Sequence, residues 1–582
     1  MYKHDPFNNE FARFLVLLLL LMSSVSLLAQ DVTDLGQQIR NLSANDLKIN
    51  GGLSFSNTFY WNNGIDPRRD PSQWRLQARL NFSLLGANAP FSLTFSDGNQ
   101  QFNLPSYTFL GISPKYKWAT LHLGDRNLNF SKYTLNGLTF RGVGTELKPG
   151  KFNFSAMYGR LSRAVAEDLN NLQSLDPAYE RWGWGFKTGI ATAQYEYQLI
   201  YFSAWDDKNS ILTPVTIDVL PSENKILSLV GRHKITKRIN LDAEVARSAF
   251  NRDRRAPLFD DSELGRSYTL FGLFEPNSSG SVGNAINTGI GYYTNGFSIR
   301  AGYERIDRGY RTLGAIFFNN DQDYSTLSIS KALVENKLTL FVKGGLERTN
   351  LNDEEQISSN RWIGSGNLNY SPTEKLNISA AYSNFRNSTK LRSFNNLLTP
   401  VDSIFLAQLT RTASLSATYL LGTKLRPSTL SLVLSQQSAN SVINDVVQSD
   451  SESDFFNASL IYTQQVKERD LQLITSLNVN NASFTNLQTV TFSPTIGARK
   501  QYLNRQLSTD LRLTFNSIYI DGAANNTVWN ISFGTDYRFL NDHSLGLTTS
   551  FIHRATRLGE LSAFSELYGR LLYGYRFSSQ KK

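Results

Sequence analysis

The sequence predicts an all-β fold, a single large antiparallel transmembrane β-barrel of about 26 strands preceded by a cleaved signal peptide. Three observations predict it. The chain opens on an export signal, apolar residues then recur at every second position in one segment after another, and the connections between those segments alternate between short and long.

The export signal is read from its order. Lys3 and Arg13 precede an unbroken apolar run from Phe14 to Met22, and small residues lead to Leu28-Ala29-Gln30. A charged start, a short apolar core and a small-residue cleavage site make a secretory signal peptide. The core is shorter than the ~20 residues a membrane-spanning helix needs. Residues 1–29 are therefore expected to be removed, with 30–46 a short periplasmic segment, 47–577 the barrel and 578–582 a polar tail.

The strands follow from alternation. From Leu507 onward, Leu511, Leu513, Phe515 and Tyr519 share one face, while Ser508, Asp510, Arg512, Thr514 and Asn516 share the other. A helix would bring those charges into its own apolar stripe. The same pattern places Ile239, Leu241, Ala243 and Val245 opposite Asn240, Asp242 and Glu244. It recurs around Phe297, Leu338, Leu376 and Leu471. In the last strand Leu567, Leu571, Tyr573, Tyr575 and Phe577 oppose Glu566, Arg570 and Arg576, resembling the aromatic C-terminal signal of outer-membrane barrels, though a short polar tail follows.

The connections give the membrane sidedness, because such barrels have short periplasmic turns on one rim and longer extracellular loops on the other. Short turns are expected at Gly86 to Pro90, Ser113-Pro114, Lys148-Pro149-Gly150, Gly189, Thr236-Lys237, Asn295-Gly296, Glu335-Asn336, Pro372-Thr373, Gly422-Thr423, Glu468-Arg469, Leu503-Asn504 and Asn541-Asp542. Longer stretches fall between them, including Asp206 to Ser222, Asn251 to Gly283, Asp307 to Asp323, Asn387 to Ala407 and Ser438 to Asp454. This parity puts both termini in the periplasm and the barrel in the outer membrane.

Composition agrees with many strands and excludes several functions. Phe (37) and Tyr (26) are abundant while Pro (16) and Met (3) are scarce. Mean hydropathy is slightly negative, as it is when each strand has one apolar and one polar face. The net charge of +10 comes from 59 basic and 49 acidic residues scattered along the chain, with no basic stripe, so nucleic acid is not an expected partner. The absence of cysteine excludes disulfides, thiolate metal sites, a cysteine nucleophile and a cysteine-linked lipid anchor. The five histidines share no metal-ligand spacing, and no glycine-rich phosphate loop is present. Neither an enzyme nor a cofactor is expected, and a hydrolase embedded in the barrel is a minor alternative.

One dense motif stands out. It runs through Leu123-Gly124-Asp125-Arg126, Tyr133-Thr134-Leu135-Asn136-Gly137, Phe140-Arg141-Gly142-Val143-Gly144 and the stretch Pro149 to Arg160. With the preceding Ser113 to Trp118, this third of the chain resembles a family of large Bacteroidota outer-membrane barrels that carries no assigned function. The Gly-Asp turn followed by a Phe-Arg-Gly strand is also similar to fimbrial ushers and to the type IX secretion translocon barrel. Within the motif, Gly142, Gly144 and Gly159 either bend their strands or let an inward loop, a plug or a passing polypeptide lie against the wall. Arg141 and Lys151 fall on or near the polar phase, which makes them candidates to face the lumen, as do Asp510 and Arg512 further on. Gly124, Asp125 and Arg126 complete the candidate set.

A barrel of this size encloses a lumen wider than side chains can fill, so a transport or protein-export conduit is the leading expectation. The segment Asp31 to Asn50 is too small for the plug domain of TonB-dependent receptors, which leaves inward loops or a partner to occlude it. The other reading is a non-conducting surface scaffold. Its best element is Asn251 to Gly283, where Arg252-Asp253-Arg254-Arg255, Asp260-Asp261 and Phe271 to Phe274 combine charge with apolar residues. Expected partners are outer-membrane lipid, the barrel-assembly machinery and a periplasmic or surface accessory protein.

Overall fold

The computed structural model describes residues 47–84, 86–97, 109–167, 176–215, 218–258, 269–315, 320–349, 351, 360–390, 405–443, 446–447, 451–556 and 563–578. The expected signal peptide, the segment 30–46, Asp260-Asp261 and nearly all of the polar tail lie outside these residues.

Each wall strand pairs antiparallel with its neighbours in sequence. In chain order they begin with β1 (Lys48–Asn63), β2 (Ser72–Leu84), β3 (Ala87–Ser96), β4 in two pieces (Phe109–Ile112 and Lys115–Tyr116), β5 (Ala119–Asn127) and β6 (Thr139–Leu147). Next come β7 (Phe152–Ser162), β8 (Glu180–Ala191), β9 (Tyr195–Asp207), β10 (Glu223–Lys234), β11 (Ile239–Asn251), β12 (Gly280–Thr294) and β13 (Phe297–Ile306). They continue with β14 (Gln322–Leu333), β15 (Leu338–Thr349), β16 (Asn360–Thr373), β17 (Leu376–Lys390), β18 (Phe405–Gly422) and β19 (Pro427–Ile443). The series ends with β20 (Ser453–Val466), β21 (Leu471–Phe484), β22 (Leu487–Tyr502), β23 (Leu507–Ile520), β24 (Ala523–Phe539), β25 (His543–Thr556) and β26 (Phe564–Ser578). A two-residue piece, Val446–Val447, pairs only with the tip of β19 and is not part of the wall.

The sheet closes on itself. β1 pairs with β2 through Lys48↔Ser83 to Phe59↔Ser72, and with β26 through Asn50↔Ser578 to Asn63↔Ser565. Among the described strands the ring of pairings is unbroken and no strand is an edge, the condition for a sheet to stand in lipid. Twenty-six strands about 4.8 Å apart and tilted by about 40° enclose a cylinder on the order of 50 Å across.

Every second residue of each strand points outward, and there the apolar residues are exposed. Leu53 and Phe55, Leu511 and Leu513, and Ile531 and Phe533 are all large, apolar and at least 36% exposed. Only lipid makes such a band favourable. Aromatic residues fringe it near the short-turn rim, where Tyr195, Tyr197 and His233 stack, as do Phe539, His543, Tyr575 and Phe577. Among the described residues no helix is long and apolar enough to cross a membrane.

The alternation of connections holds around the wall, with local corrections. The turn expected at Gly189 lies at 192–194, because β8 continues through Ala191. Ser113-Pro114 is a break inside β4 and the chain reverses at Lys117-Trp118, since a proline interrupts a ladder without having to end the strand. Pro90 lies within β3, where it pairs with Asn81. Two connections on the long-loop rim are tight: residues 485–486, and Asp521-Gly522 with φ of 47° and 80°.

Candidate functional site

Two long connections turn into the lumen instead of rising above the rim. The first joins β5 to β6 (residues 128–138) and the second joins β13 to β14 (residues 307–321, described through Ala315 and again from Asn320). Leu128, Phe130, Tyr133 and Leu135 of the first and Tyr310 of the second form one buried cluster with Phe140, Met157, Ile200, Phe202, Ile226, Ala246, Ala285 and Ile306. Those wall residues lie on β6, β7, β9, β10, β11, β12 and β13, all on the face opposite the exposed apolar band. Only the concave side of the wall presents so many strands to two loops.

Glycines on the inward phase make room for the first loop. A Cβ on Gly144 would lie 2.8 Å from Leu128 Cδ1, and one on Gly185 would lie 3.0 Å from Phe130 Cε2. Lys187 stands beside them and donates to the carbonyls of Asn129 (3.0 Å) and Phe130 (3.4 Å).

The loops are bonded to each other as well as to the wall. Asn136 N–H donates to Gly314 O at 2.8 Å, the Tyr310 hydroxyl to Tyr133 O at 2.7 Å, and the Thr312 hydroxyl to Thr134 O at 2.7 Å. The rings of Tyr133 and Tyr310 meet edge to face, with centroids 6.2 Å apart. The wall holds the second loop through Ser248 Oγ and Asn224 Nδ2, which donate to Arg311 O at 2.6 and 3.2 Å. It holds the first through Glu304, which accepts from the Tyr133 hydroxyl at 2.8 Å and also pairs with Lys132. Burial raises both phenols above the ordinary range, and for Tyr133 the charge of Glu304 adds to this, so both remain donors.

The motif residues flank this assembly. Gly124 has a φ of +87° and sits where a Cβ would come within 2.2 Å of Leu110 O, so the position admits only glycine. Asp125, buried, accepts from Arg141 Nε (2.8 Å) and Nη2 (2.9 Å) and from Leu110 N–H (2.9 Å). Arg141 shares its face with exposed Val143, so it points outward and away from the lumen. Arg126 turns inward across Gly111 and donates to Ser92 Oγ at 3.0 Å and Pro90 O at 3.3 Å. Gly142 and Gly159 pair directly across β6 and β7, where a Cβ on Gly142 would meet Tyr158 O at 2.1 Å. Lys151 lies in the turn before β7, outside the wall. Asp510 and Arg512 oppose Leu511 and Leu513 and lie against Gly534 and Gly497 on the inward face, far along the chain from the loop assembly.

Sequence reasoning missed Tyr133, Tyr310, Thr312, Asn224 and Ser248 as one unit. A signal was present in β9, where Leu199-Ile200-Tyr201-Phe202 is apolar on both phases. A strand with two apolar faces is covered on both.

The described residues 269–279 of the connection after β11 pack on the opposite side of the wall. Leu270 and Phe274 are buried against Ala249, with Leu227 and Val282, on the outward phase of the wall, leaving Phe271 70% exposed. The charged run of the same connection is tied down at the rim: Arg254 Nη1 donates to Asp206 O at 2.6 Å, and Arg255 pairs with Asp253 at 2.9 Å.

No protein-family model matches the chain, and no curated protein matches it in sequence. Among solved structures, the FrpB iron transporter from Neisseria meningitidis (F3-3 variant) aligns over 91% of this chain and 81% of its own, at 10% identity and a TM-score of 0.38. The translocation pore of the P pilus usher PapC aligns over 91% and 99%, at 10% identity and a TM-score of 0.36. BauA, the ferric preacinetobactin receptor from Acinetobacter baumannii, aligns over 90% and 80%, at 10% identity and a TM-score of 0.37.

Proposed function

We propose that this barrel is a gated conduit of the outer membrane, with its short turns and both termini in the periplasm, and that its own two inward loops form the gate. One observation carries the reading: residues 128–138 and 307–315 are hydrogen-bonded to each other inside the barrel, where loops of a mere scaffold have no reason to go. Loops positioned by a rigid wall are where function is commonly placed, and two elements that hold each other can separate as a unit. Its surroundings are lipid on the outer face and the barrel-assembly machinery during insertion, with an accessory protein on either rim as a candidate to move the gate.

The test is planar-bilayer recording of the native chain beside a variant in which residues 128–138 are replaced by an Asn-Gly turn, with heat-modifiability as the check on assembly. A closed or low-conductance native barrel and a larger, steady conductance in the variant are expected. Silence in a correctly assembled variant would overturn the conduit and favour the scaffold. For that second reading, the specific observation is the packing of Leu270 and Phe274 on the outer side of the wall, which leaves Phe271 exposed.

A further inference from the structure

The seam where the barrel closes has a chemistry of its own. On β1 the inward residues through the middle of the strand are small: Gly52, Ser54, Ser56 and Thr58. The neighbouring strands bring arginines to the same rows. Gly52 pairs directly with Arg79 of β2 on one side and Arg576 of β26 on the other, while Ser56 pairs with Arg75 and Thr58 with Arg570. All four arginines are exposed, and among the described residues none of them forms an ion pair.

Among the described residues the carboxylates nearby form no ion pair with these four arginines. Glu566 is paired with Arg68 at 3.4 Å and accepts from the Tyr60 hydroxyl, Asp70 accepts from Gln73 at 3.0 Å, and Asp97 accepts from Trp74 N–H at 2.7 Å, so the four guanidinium charges outnumber the free carboxylates. The next inward carboxylate, Asp536 on β24, leans over Gly546 of β25 on the far side of β26. Arg69, Arg75 and Arg570, against the single carboxylate Asp70, line a concavity of about 230 Å³ at the upper rows together with Ser56 and Thr58. Arginines that flank a bare strand have their Cα atoms about 10 Å apart, and the rows at Gly52 and at Ser56 are about 13 Å apart. With nothing larger than threonine between them, guanidinium forks from both sides can reach one oxyanion over β1.

We propose that this seam is an oxyanion path, a strip of the lumen wall that draws solutes bearing phosphate or carboxylate groups through successive arginine rows. The proposal rests on the conduit reading and names the class of solute. An excess of one sign along a low-dielectric passage focuses the field and raises the local concentration of the opposite charge.

The chain has no cysteine, so one introduced thiol can report the local field. Ser54→Cys lies between the arginine rows, and Ser414→Cys lies on β18, away from the seam, between Ala381 and Ser435. Each variant, purified in detergent and checked for heat-modifiability, is reacted with an anionic sulfonate and with a cationic trimethylammonium methanethiosulfonate. The ratio of anionic to cationic rate is expected to be about tenfold higher at Ser54→Cys than at Ser414→Cys at low salt. It should fall toward the Ser414→Cys value in 1 M salt, and in Arg75→Gln/Arg570→Gln or, if that pair fails to assemble, Arg79→Gln/Arg576→Gln. Equal ratios at the two positions, or reaction at Ser414→Cys alone, would overturn the oxyanion path and leave the conduit standing. No reaction at either position would remove the aqueous lumen, and the conduit with it.

Discussion

The Tyr310 hydroxyl donates to the Tyr133 carbonyl across 2.7 Å, joining residues 177 positions apart, and neither ring is exposed. The bond links two loops, not a loop and the wall, so it makes them one body. Replacing Tyr310 with Phe keeps the ring and removes the hydroxyl that makes this bond. A buried neutral hydrogen bond contributes about 1 kcal/mol. The Tyr310→Phe barrel should therefore assemble normally and open about fivefold more often in bilayer recordings. Adding Thr312→Val, which removes the bond to Thr134 O, should raise opening further. Unchanged gating in the double variant would place the gate elsewhere.

Gly144 offers a way to displace the first loop without touching it. A side chain there meets Leu128 Cδ1 at 2.8 Å and Phe140 Cζ at 3.1 Å, mostly movable side-chain atoms. Gly144→Val should push residues 128–138 off the wall and expose them to added protease, while the barrel remains heat-modifiable. Gly344→Ala, where nothing lies within 4 Å of the added carbon, is the control and should be protected like the native chain. Equal protection of both variants would mean that Leu128 is not what the glycine accommodates.

The two faces of β23 should differ in their tolerance of charge. Leu513 is 36% exposed on the outer face, and Arg512 extends across Gly497 on the inner one. Leu513→Arg should cost about 2–4 kcal/mol if it sits near the bilayer midplane, and should reduce the folded fraction. Arg512→Gln should fold like the native chain. Urea titration in lipid vesicles reads both, and equal midpoints would mean that the lipid-facing phase has been misassigned.

The wall was legible in the sequence because its period is set by local geometry. Leu511 and Arg512 must point to opposite faces of any strand that contains both, and turns such as Asn295-Gly296 mark themselves by the residues a positive φ requires. The pair of inward loops was not legible in this way. Tyr133 and Tyr310 meet only because the eight strands β6 to β13 have curled far enough to bring residues 128–138 opposite residues 307–315, and no short-range pattern encodes that distance. The glycine run at Gly142, Gly144 and Gly159 could be read as a close approach, but not as which chain approaches. Arg141 misled for a related reason. Its charge suggests the polar face, yet Asp125 satisfies it on the outward one near the rim.

The sidedness of the barrel can be tested with single thiols on this cysteine-free background. Asn50 pairs with Ser578, so the first strand begins and the last strand ends on the same rim, the rim that also carries the short turns. An even number of strands requires this, and the proposed orientation puts that rim, with its short turns, on the periplasmic side. Lys208, exposed in the connection after β9, lies on the opposite rim, and Lys424, exposed in the turn after β18, lies on the terminal one. Neither is buried in the wall, so replacing either with cysteine should leave folding unchanged. A membrane-impermeant maleimide should label Lys208→Cys on intact cells and Lys424→Cys only after the outer membrane is permeabilised. The reverse pattern would invert the barrel, putting the loops 128–138 and 307–315 at the periplasmic mouth and giving the gate a periplasmic trigger.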